Sequence, residues 1–383
     1  MYRIGSEELA EIAKVIESKN LFKLNDAMRE TEKCEQSLRD IFGVKRAILV
    51  TSGYAALTSA LIGMGIGPGD EVIIPAYTYI ATAMAVVAAG AIPVIADIDD
   101  SFTLSPEKAE EKITERTKAI IPVHIQGFPC NMDALSALAE KYGLDILEDA
   151  CQADGGSYKG KRLGSIGRAG ALSFNQFKII TAGEGGAVLT NDVKVFERAL
   201  IYQDASAIAF FGNQLDGIEE KEFCGSEFRT NEISSAILNV QLTRLDGILS
   251  DLRRNKKLLS ERLGKKYTIG RSNDIEGDCG VTLPVVFDDE KQAGEFAQRI
   301  GHGAYLPINT GKHIYTHWRA ILEKRGALSP DMDPFRHPKN APFVPDYKNE
   351  SYPVTLSMLS RTAFIPVDPE WTEVKIEEIT KNI

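Results

Sequence analysis

A lysine whose amine is neutral can attack a carbonyl carbon and hold it as a Schiff base, and Lys178 stands where such chemistry is feasible. The apolar run Ala169 to Phe174 precedes it, and Gly183, Gly185 and Gly186 follow, so that a backbone or a flat ligand can approach closely. Protonated, the amine is a poor nucleophile. Its ordinary pKa of about 10.4 must fall, through desolvation or a nearby cation, before the lone pair is free. A solvated surface lysine is the competing reading, and it is residues elsewhere in the chain that weigh against it.

Glu148-Asp149-Ala150-Cys151-Gln152 closes the apolar segment Leu144 to Leu147, which reads as a buried parallel strand. Asp149 and Gln152 then sit at the carboxyl end of that strand, the edge at which open α/β sheets bind ligands. A carboxylate there can pair with the protonated ring nitrogen of a pyridine-type cofactor and keep the ring cationic, so that it draws electrons from a reacting carbon. Aspartate also caps helices, and taken alone Asp149 before Ala150 reads first as an N-cap.

Thr51-Ser52-Gly53-Tyr54 follows the strand-like Ala47 to Val50 and opens an apolar helical stretch running to about Met64. A Ser-Gly turn at a helix N-terminus offers free N–H groups and the positive end of the dipole to a phosphate, although any capped strand-to-helix turn looks similar. Pro75-Ala76-Tyr77-Thr78-Tyr79 follows the strand-like Glu71 to Ile74. Tyr79 is the choice to lie flat on a pyridine ring, a contact worth about 0.5–1.5 kcal/mol beyond burial. Tyr77 and Tyr79 are equally open to core or interface positions.

In this order and spacing the four stretches resemble the DegT/DnrJ/EryC/StrS family of pyridoxal-phosphate-dependent aminotransferases that act on keto-sugars, over nearly the whole chain from Asn25 to Asp368. The resemblance implies an α/β fold of the aspartate-aminotransferase type (fold type I), with a mostly parallel seven-stranded sheet and a smaller α+β domain at the C-terminal side. It implies Lys178 as the Schiff-base lysine and Asp149 as the partner of the pyridine nitrogen. Gln152 would lie near the cofactor's phenolic oxygen, Tyr79 would stack on the ring, and Ser52, Gly53, Tyr54 and Ser173 would hold the phosphate. It further implies a homodimer with shared sites, in which Arg229 contacts an anion across the interface; a surface salt bridge is the other reading of that arginine. Family members with histidine in place of the lysine are sugar dehydratases. The retained Lys178 points instead to amino transfer, by way of pyridoxamine phosphate, from glutamate or glutamine to a keto-sugar, keto-cyclitol or sugar aldehyde. A pyridoxal-phosphate dehydratase or aromatising synthase is the alternative, and a non-catalytic regulator a further one.

Two departures from the family pattern bear on specificity. Tyr54 stands where a threonine is usual, so the resemblance does not carry over that threonine's hydroxyl contact, while the backbone N–H contact survives. Glu227, in Gly225-Ser226-Glu227-Phe228-Arg229, replaces an asparagine, and a carboxylate beside a phosphate is repelled. Glu227 is therefore expected to turn away or to read a cationic or hydroxylated substrate group. The segment Ala304 to Arg319 occupies the place where the family varies; its Asn309, Lys312 and His313 would suit a carboxylated, phosphorylated or nucleotide-carried sugar.

Composition is compatible with a cytoplasmic enzyme. The 383 residues, 44% hydrophobic, suffice for a large core and for two domains, expected over residues 1–245 and 246–383. A net charge of -10 without a basic block argues against nucleic acid as a partner. The first twenty residues lack a signal peptide's apolar core, and the most apolar stretch, Ala76 to Ile98, is broken by Thr, Gly, Pro and Asp, so no membrane span is expected. Five cysteines without a C-x-x-C pair suit reduced thiols rather than disulfides or zinc, and no metal site is expected. His124, at the end of another strand-like run, is read as a structural histidine before a site residue. Strand-like runs at Ala47–Val50, Glu71–Ile74, Ile92–Ala96, Ala119–Val123, Ile146–Leu147, Ala169–Phe174 and Gly186–Thr190 alternate with helical patterns, and a long helix is expected from Asn231 to about Leu263.

Overall fold

The computed structural model of the protein describes residues 3–24, 27–204, 217–327, 329–381 and 383. Asn25, where the family resemblance begins, lies outside them. Along the described residues the strands are β1 (Arg46–Val50), β2 (Glu71–Pro75), β3 (Ile92–Ala96), β4 (Thr117–Ile120), β5 (Asp145–Asp149), β6 (Ser157–Tyr158), β7 (Lys161–Arg162), β8 (Ala169–Ser173), β9 (Gly186–Thr190), β10 (Thr268–Ile269), β11 (Thr282–Val286) and β12 (Thr362–Pro366). Seven of them form the central sheet in the order β1-β9-β8-β5-β4-β2-β3. β9 alone in that sheet runs antiparallel to its neighbours, β1 and β8. The other pairs are parallel. β2, β3, β8 and β9 are buried along their whole length, as parallel-type strands covered by helices on both faces must be.

The expected strand at Ala119–Val123 ends sooner, at Ile120. Pro122 has no N–H to give to a ladder, and its carbonyl instead accepts the Asp149 N–H at 2.9 Å, which keeps the chain beside the end of β5. The helix Gly53–Gly63 is buried on nearly every side because it is wedged between the sheet and the helix Val193–Gln203. The other long-range tie is the helix Glu232–Leu263, capped by Asn231, whose side chain accepts the Ser234 N–H at 3.0 Å. Leu238, Leu242, Leu245 and Leu249 line its buried face at the spacing the sequence predicts. At its start the buried Glu232 carboxylate accepts the N–H groups of Glu30 and Thr31, at 2.6 and 3.1 Å, and so caps the helix Glu30–Phe42.

This long helix crosses residues 245 and 246 unbroken, so the expected division between two domains falls inside one element. Beyond it, β10, β11 and β12 form a small antiparallel sheet, and β12 packs against the helix Glu290–Ile300, whose buried residues are Ala293, Phe296, Ala297 and Ile300. Residues 330–352 are irregular apart from short 3-10 turns. No helix among the described residues is long and apolar enough to cross a membrane.

Candidate active site

The carboxyl ends of β2, β5 and β8 point to one edge of the sheet, and because β9 is antiparallel, its first residue lies there too. The loop 174–185 joins β8 to β9 across that edge. It is pinned at both ends: Phe174 N–H donates to the Gly185 carbonyl at 2.8 Å, and Ala182 N–H to the Phe174 carbonyl at 2.9 Å. Ile179 and Ile180 are buried and anchor the turn that carries Lys178, whose own N–H donates to the Asn175 carbonyl at 3.0 Å. Lys178 is half-buried, and among the described residues its amine has no hydrogen bond or ion pair. It lines a cleft of about 500 Å³.

Asp149 faces the same cleft from the end of β5 and is 5% exposed. No helix follows it, so the N-cap reading fails. One carboxylate oxygen accepts the Cys151 N–H at 3.1 Å and the other the Thr82 hydroxyl at 2.8 Å, with Thr78 and Thr82 hydroxyls 2.8 Å apart behind them. Three residues on, Gln152 accepts the Gln126 N–H at 3.1 Å through its side-chain oxygen, which leaves its amide NH2 to donate into the cleft.

Ser52 caps the helix Gly53–Gly63 by accepting the Ala55 N–H at 3.1 Å, and its carbonyl accepts the Ala56 N–H at 3.0 Å. The N–H groups of Gly53 and Tyr54 are the two that this first turn cannot satisfy itself. The turn is packed too closely for side chains. A Cβ on Gly53 would lie 2.7 Å from Cys151 Sγ and 2.8 Å from Ser173 Cβ, and one on Gly186 would lie 2.3 Å from the Ser52 carbonyl oxygen. Ser173, at the end of β8, completes this corner.

Tyr79 is 48% exposed and lines the cleft, whereas Tyr77 is buried behind it. His313 packs against both rings, 5.8 Å from Tyr79 at a 58° tilt and 6.4 Å from Tyr77 edge to face. Burial, helped by Lys312 and Lys178, pushes the His313 imidazole down to about 4, so at neutral pH it is an uncharged ring. Lys312 also lines the cleft.

The structure thus gathers Lys178, Asp149, Ser52, Gly53, Tyr54, Tyr79, Gln152, Ser173, Lys312 and His313 around one cleft, and leaves three predicted residues outside it. Asn309 is exposed on a 3-10 turn. Arg229 is held in its own chain, donating to the Asp204 carbonyl at 2.6 Å and carboxylate at 2.9 Å, with Glu227 on its other nitrogen. Glu227 is paired with Arg229 within its own chain. His124 is fully buried, 3.1 Å from Glu148, and takes the structural role. From that same stretch it is Gln126 that reaches the cleft, at a backbone φ of 53°, together with Thr78, Thr82, Asn175 and Glu184. Thr82 was findable: it lies on the Tyr79 strand exit, one helical turn after Thr78. Gln126 carries no such signal, since its place depends on the left-handed turn after β4.

The mostly parallel seven-stranded sheet, with a lysine-bearing loop across its carboxyl edge, is an α/β fold that the chain shares with solved aminotransferases. The chain belongs to the DegT/DnrJ/EryC1/StrS aminotransferase family, whose sequence profile matches residues 2–292. It is 41% identical over 242 residues to the GDP-perosamine synthase of Caulobacter vibrioides, covering 61% of this chain and 62% of that one. It is 37% identical over 243 residues to the L-glutamine:2-deoxy-scyllo-inosose aminotransferase of Streptomyces paromomycinus, covering 62% of this chain and 57% of that one. The matches therefore span less than two thirds of these relatives' lengths. Among solved structures, the aminotransferase from Psychrobacter cryohalolentis superposes with a TM-score of 0.81 at 25% identity, covering 100% of this chain and 97% of that one.

Proposed function

We propose that the protein is a pyridoxal-phosphate-dependent aminotransferase that moves an amino group from glutamate or glutamine to a keto-sugar, keto-cyclitol or sugar aldehyde. The observation that carries this reading is the Lys178 amine, unpaired among the described residues, sharing one cleft with the Asp149 carboxylate, a helix N-terminus and the exposed face of Tyr79. These residues fit the cofactor: the glycine-lined turn suits its phosphate, and the carboxylate its ring nitrogen. When bound, pyridoxal phosphate supplies an electron sink and a carbon that carries the amino group between donor and acceptor.

The protein's part is to hold and to move protons. Gly53 and Tyr54 N–H groups, with the Ser52 and Ser173 hydroxyls, would hold the phosphate, and Tyr79 would cover one face of the ring. Asp149 would keep the ring nitrogen protonated, while Thr82 and the Cys151 N–H fix the carboxylate's orientation. The Gln152 amide NH2 would donate to the phenolic oxygen. Lys178 would hold the cofactor covalently at rest; displaced by the donor, its Nζ would take the proton from the donor's α-carbon and pass it on. Lys312 would meet an anionic group of the acceptor.

We further propose a homodimer in a cytoplasmic setting. The family resemblance supports the first, and the free cysteines, three of them buried, support a reducing compartment. In such a dimer Arg229 would reach a neighbouring site only by giving up Asp204 or Glu227. Sedimentation of the purified chain tests the dimer; a monomer at micromolar concentration would overturn it. For the reaction, incubation with pyridoxal phosphate and glutamate or glutamine should yield pyridoxamine phosphate and the matching keto acid. Water elimination from a sugar without any such half-reaction would mark a dehydratase, and no reaction with any amino donor would mark a regulator.

A further inference from the structure

Gln126 lines the cleft from a left-handed backbone, φ 53°, and Gly127 after it is left-handed as well, φ 76°. Glycine and asparagine take this conformation with least strain, so a glutamine held there carries a cost that its side chain must offset. The turn is clamped in place. The Gly127 carbonyl accepts the Cys279 N–H at 3.1 Å, and a Cβ on Gly127 would lie 2.6 Å from Cys279 Cβ. Two hydrogen bonds then orient the glutamine itself: its N–H donates to the Gln152 side-chain oxygen at 3.1 Å, and its Oε1 accepts the hydroxyl of Thr282, a buried residue of β11, at 3.0 Å. The NH2 of Gln126 is the free end of that amide, without a hydrogen-bond partner among the described residues.

The side chains that meet this amide are neutral. Besides Thr282 they are two phenols: Tyr77, 1% exposed and packed edge to face on the cleft-lining His313, with a hydroxyl that has no partner, and Tyr305. Burial raises both phenols, that of Tyr305 to about 12, and the Gln126 amide, near each but outside hydrogen-bond geometry, works against the rise. A neutral donor among neutral hydroxyls suits an uncharged oxygen of a ligand, whereas it offers a carboxylate or phosphate no opposing charge. In this cleft that charge comes from Lys178 and Lys312 instead. Gln152, which Gln126 holds directly, shares the cleft with Lys178, so the oxygen read here is one close to the reacting carbon.

We propose that Gln126 is a specificity-determining residue, whose NH2 donates to a hydroxyl of the amino-group acceptor beside its reacting carbon, with Thr282 as the positioning residue that aims the amide. The acceptor is then an α-hydroxy carbonyl compound, a sugar or cyclitol with a free hydroxyl next to its carbonyl, whatever charged group it bears further away. This rests on the aminotransferase reading given above and narrows its substrate.

The test compares the tightest-binding isomer of 2-aminocyclohexanol with cyclohexylamine, two amines that differ by one hydroxyl beside the amino carbon. Each is titrated into the full chain loaded with pyridoxal phosphate, and the cofactor's absorbance reports binding, so no turnover is needed. The ratio of the two dissociation constants cancels intrinsic differences between the amines when wild type and variant are compared. In Gln126→Met the preference for the amino alcohol should fall by about tenfold, the size of one neutral hydrogen bond, and in Thr282→Val by about threefold. An unchanged ratio in Gln126→Met overturns the proposal, even where both amines bind more weakly, since that is the mark of a mere strut. Should this variant not fold, Gln126→Asn decides: it suits a left-handed backbone but withdraws the NH2 by one methylene, and a kept preference again overturns the proposal. A chain whose absorbance never shows the cofactor held by Lys178 refutes the aminotransferase reading and this inference with it, whereas one that shows it without the loss of preference refutes the inference alone.

Discussion

The Thr82 hydroxyl donates to the Asp149 carboxylate at 2.8 Å, linking the helix that follows β2 to the end of β5. The acid is thus oriented by a side chain from a different βα unit, and its charge points into the cleft rather than along its own strand. Asp149→Asn keeps the shape and the hydrogen bond but not the charge. Turnover should fall by about a thousandfold, the order expected for losing an electrostatic stabiliser of a reacting centre. Thr82→Val should cost about tenfold through orientation alone. Equal losses in the two variants, measured as kcat, would contradict this division of roles.

Lys178→Ala should abolish turnover together with the visible absorption of the cofactor–lysine linkage, while pyridoxal phosphate still binds noncovalently through the Ser52-Gly53 turn. Wild-type-like turnover in this variant would sink the assignment of the lysine.

Gly186→Ala is expected to act on phosphate affinity. The added methyl would meet the Ser52 carbonyl oxygen at 2.3 Å and the Gly53 nitrogen at 2.7 Å, so the turn must move. Pyridoxal phosphate should bind at least about tenfold more weakly while pyridoxal, which lacks the phosphate, binds as before. Fluorescence titration with both compounds checks this, and equal weakening of both would place the damage elsewhere.

His313 provides a pH signature. Its folded pKa of about 4 lies below the ordinary 6.5, so between those values the unfolded chain binds the extra proton and the folded one does not. Stability from this ring is therefore complete above about pH 6.5 and is lost as the pH falls toward 4, by on the order of 3 kcal/mol at most. In His313→Phe, which keeps a ring between Tyr77 and Tyr79, denaturation midpoints should fall less steeply over that window. Identical slopes would show that another group titrates there.

Much of this was readable from residue order. The largely apolar runs of β2, β3, β8 and β9 announce buried strands, and Ser52-Gly53 just past β1, Asp149 at the end of β5 and Lys178 in the loop after β8 all follow carboxyl ends of strands, so sheet topology brings them to one rim. What escaped was set by nonlocal geometry. Arg229 reads as an anion contact, but only the fold reveals Asp204 beside it. Gln126 enters the cleft because its backbone is left-handed, a turn that its sequence does not signal.

The single antiparallel strand of the central sheet has a mechanical consequence. Since β9 runs back alongside β8, the loop that bears Lys178 departs from and returns to the same rim, with both feet clamped to a rigid frame. The reactive nitrogen is thereby mounted on a short bracket rather than on a swinging arm. Its reach is limited to the rotations of its own side chain. Lengthening this loop by even one residue should therefore misplace the amine, whereas the outer connections of the sheet have room to vary.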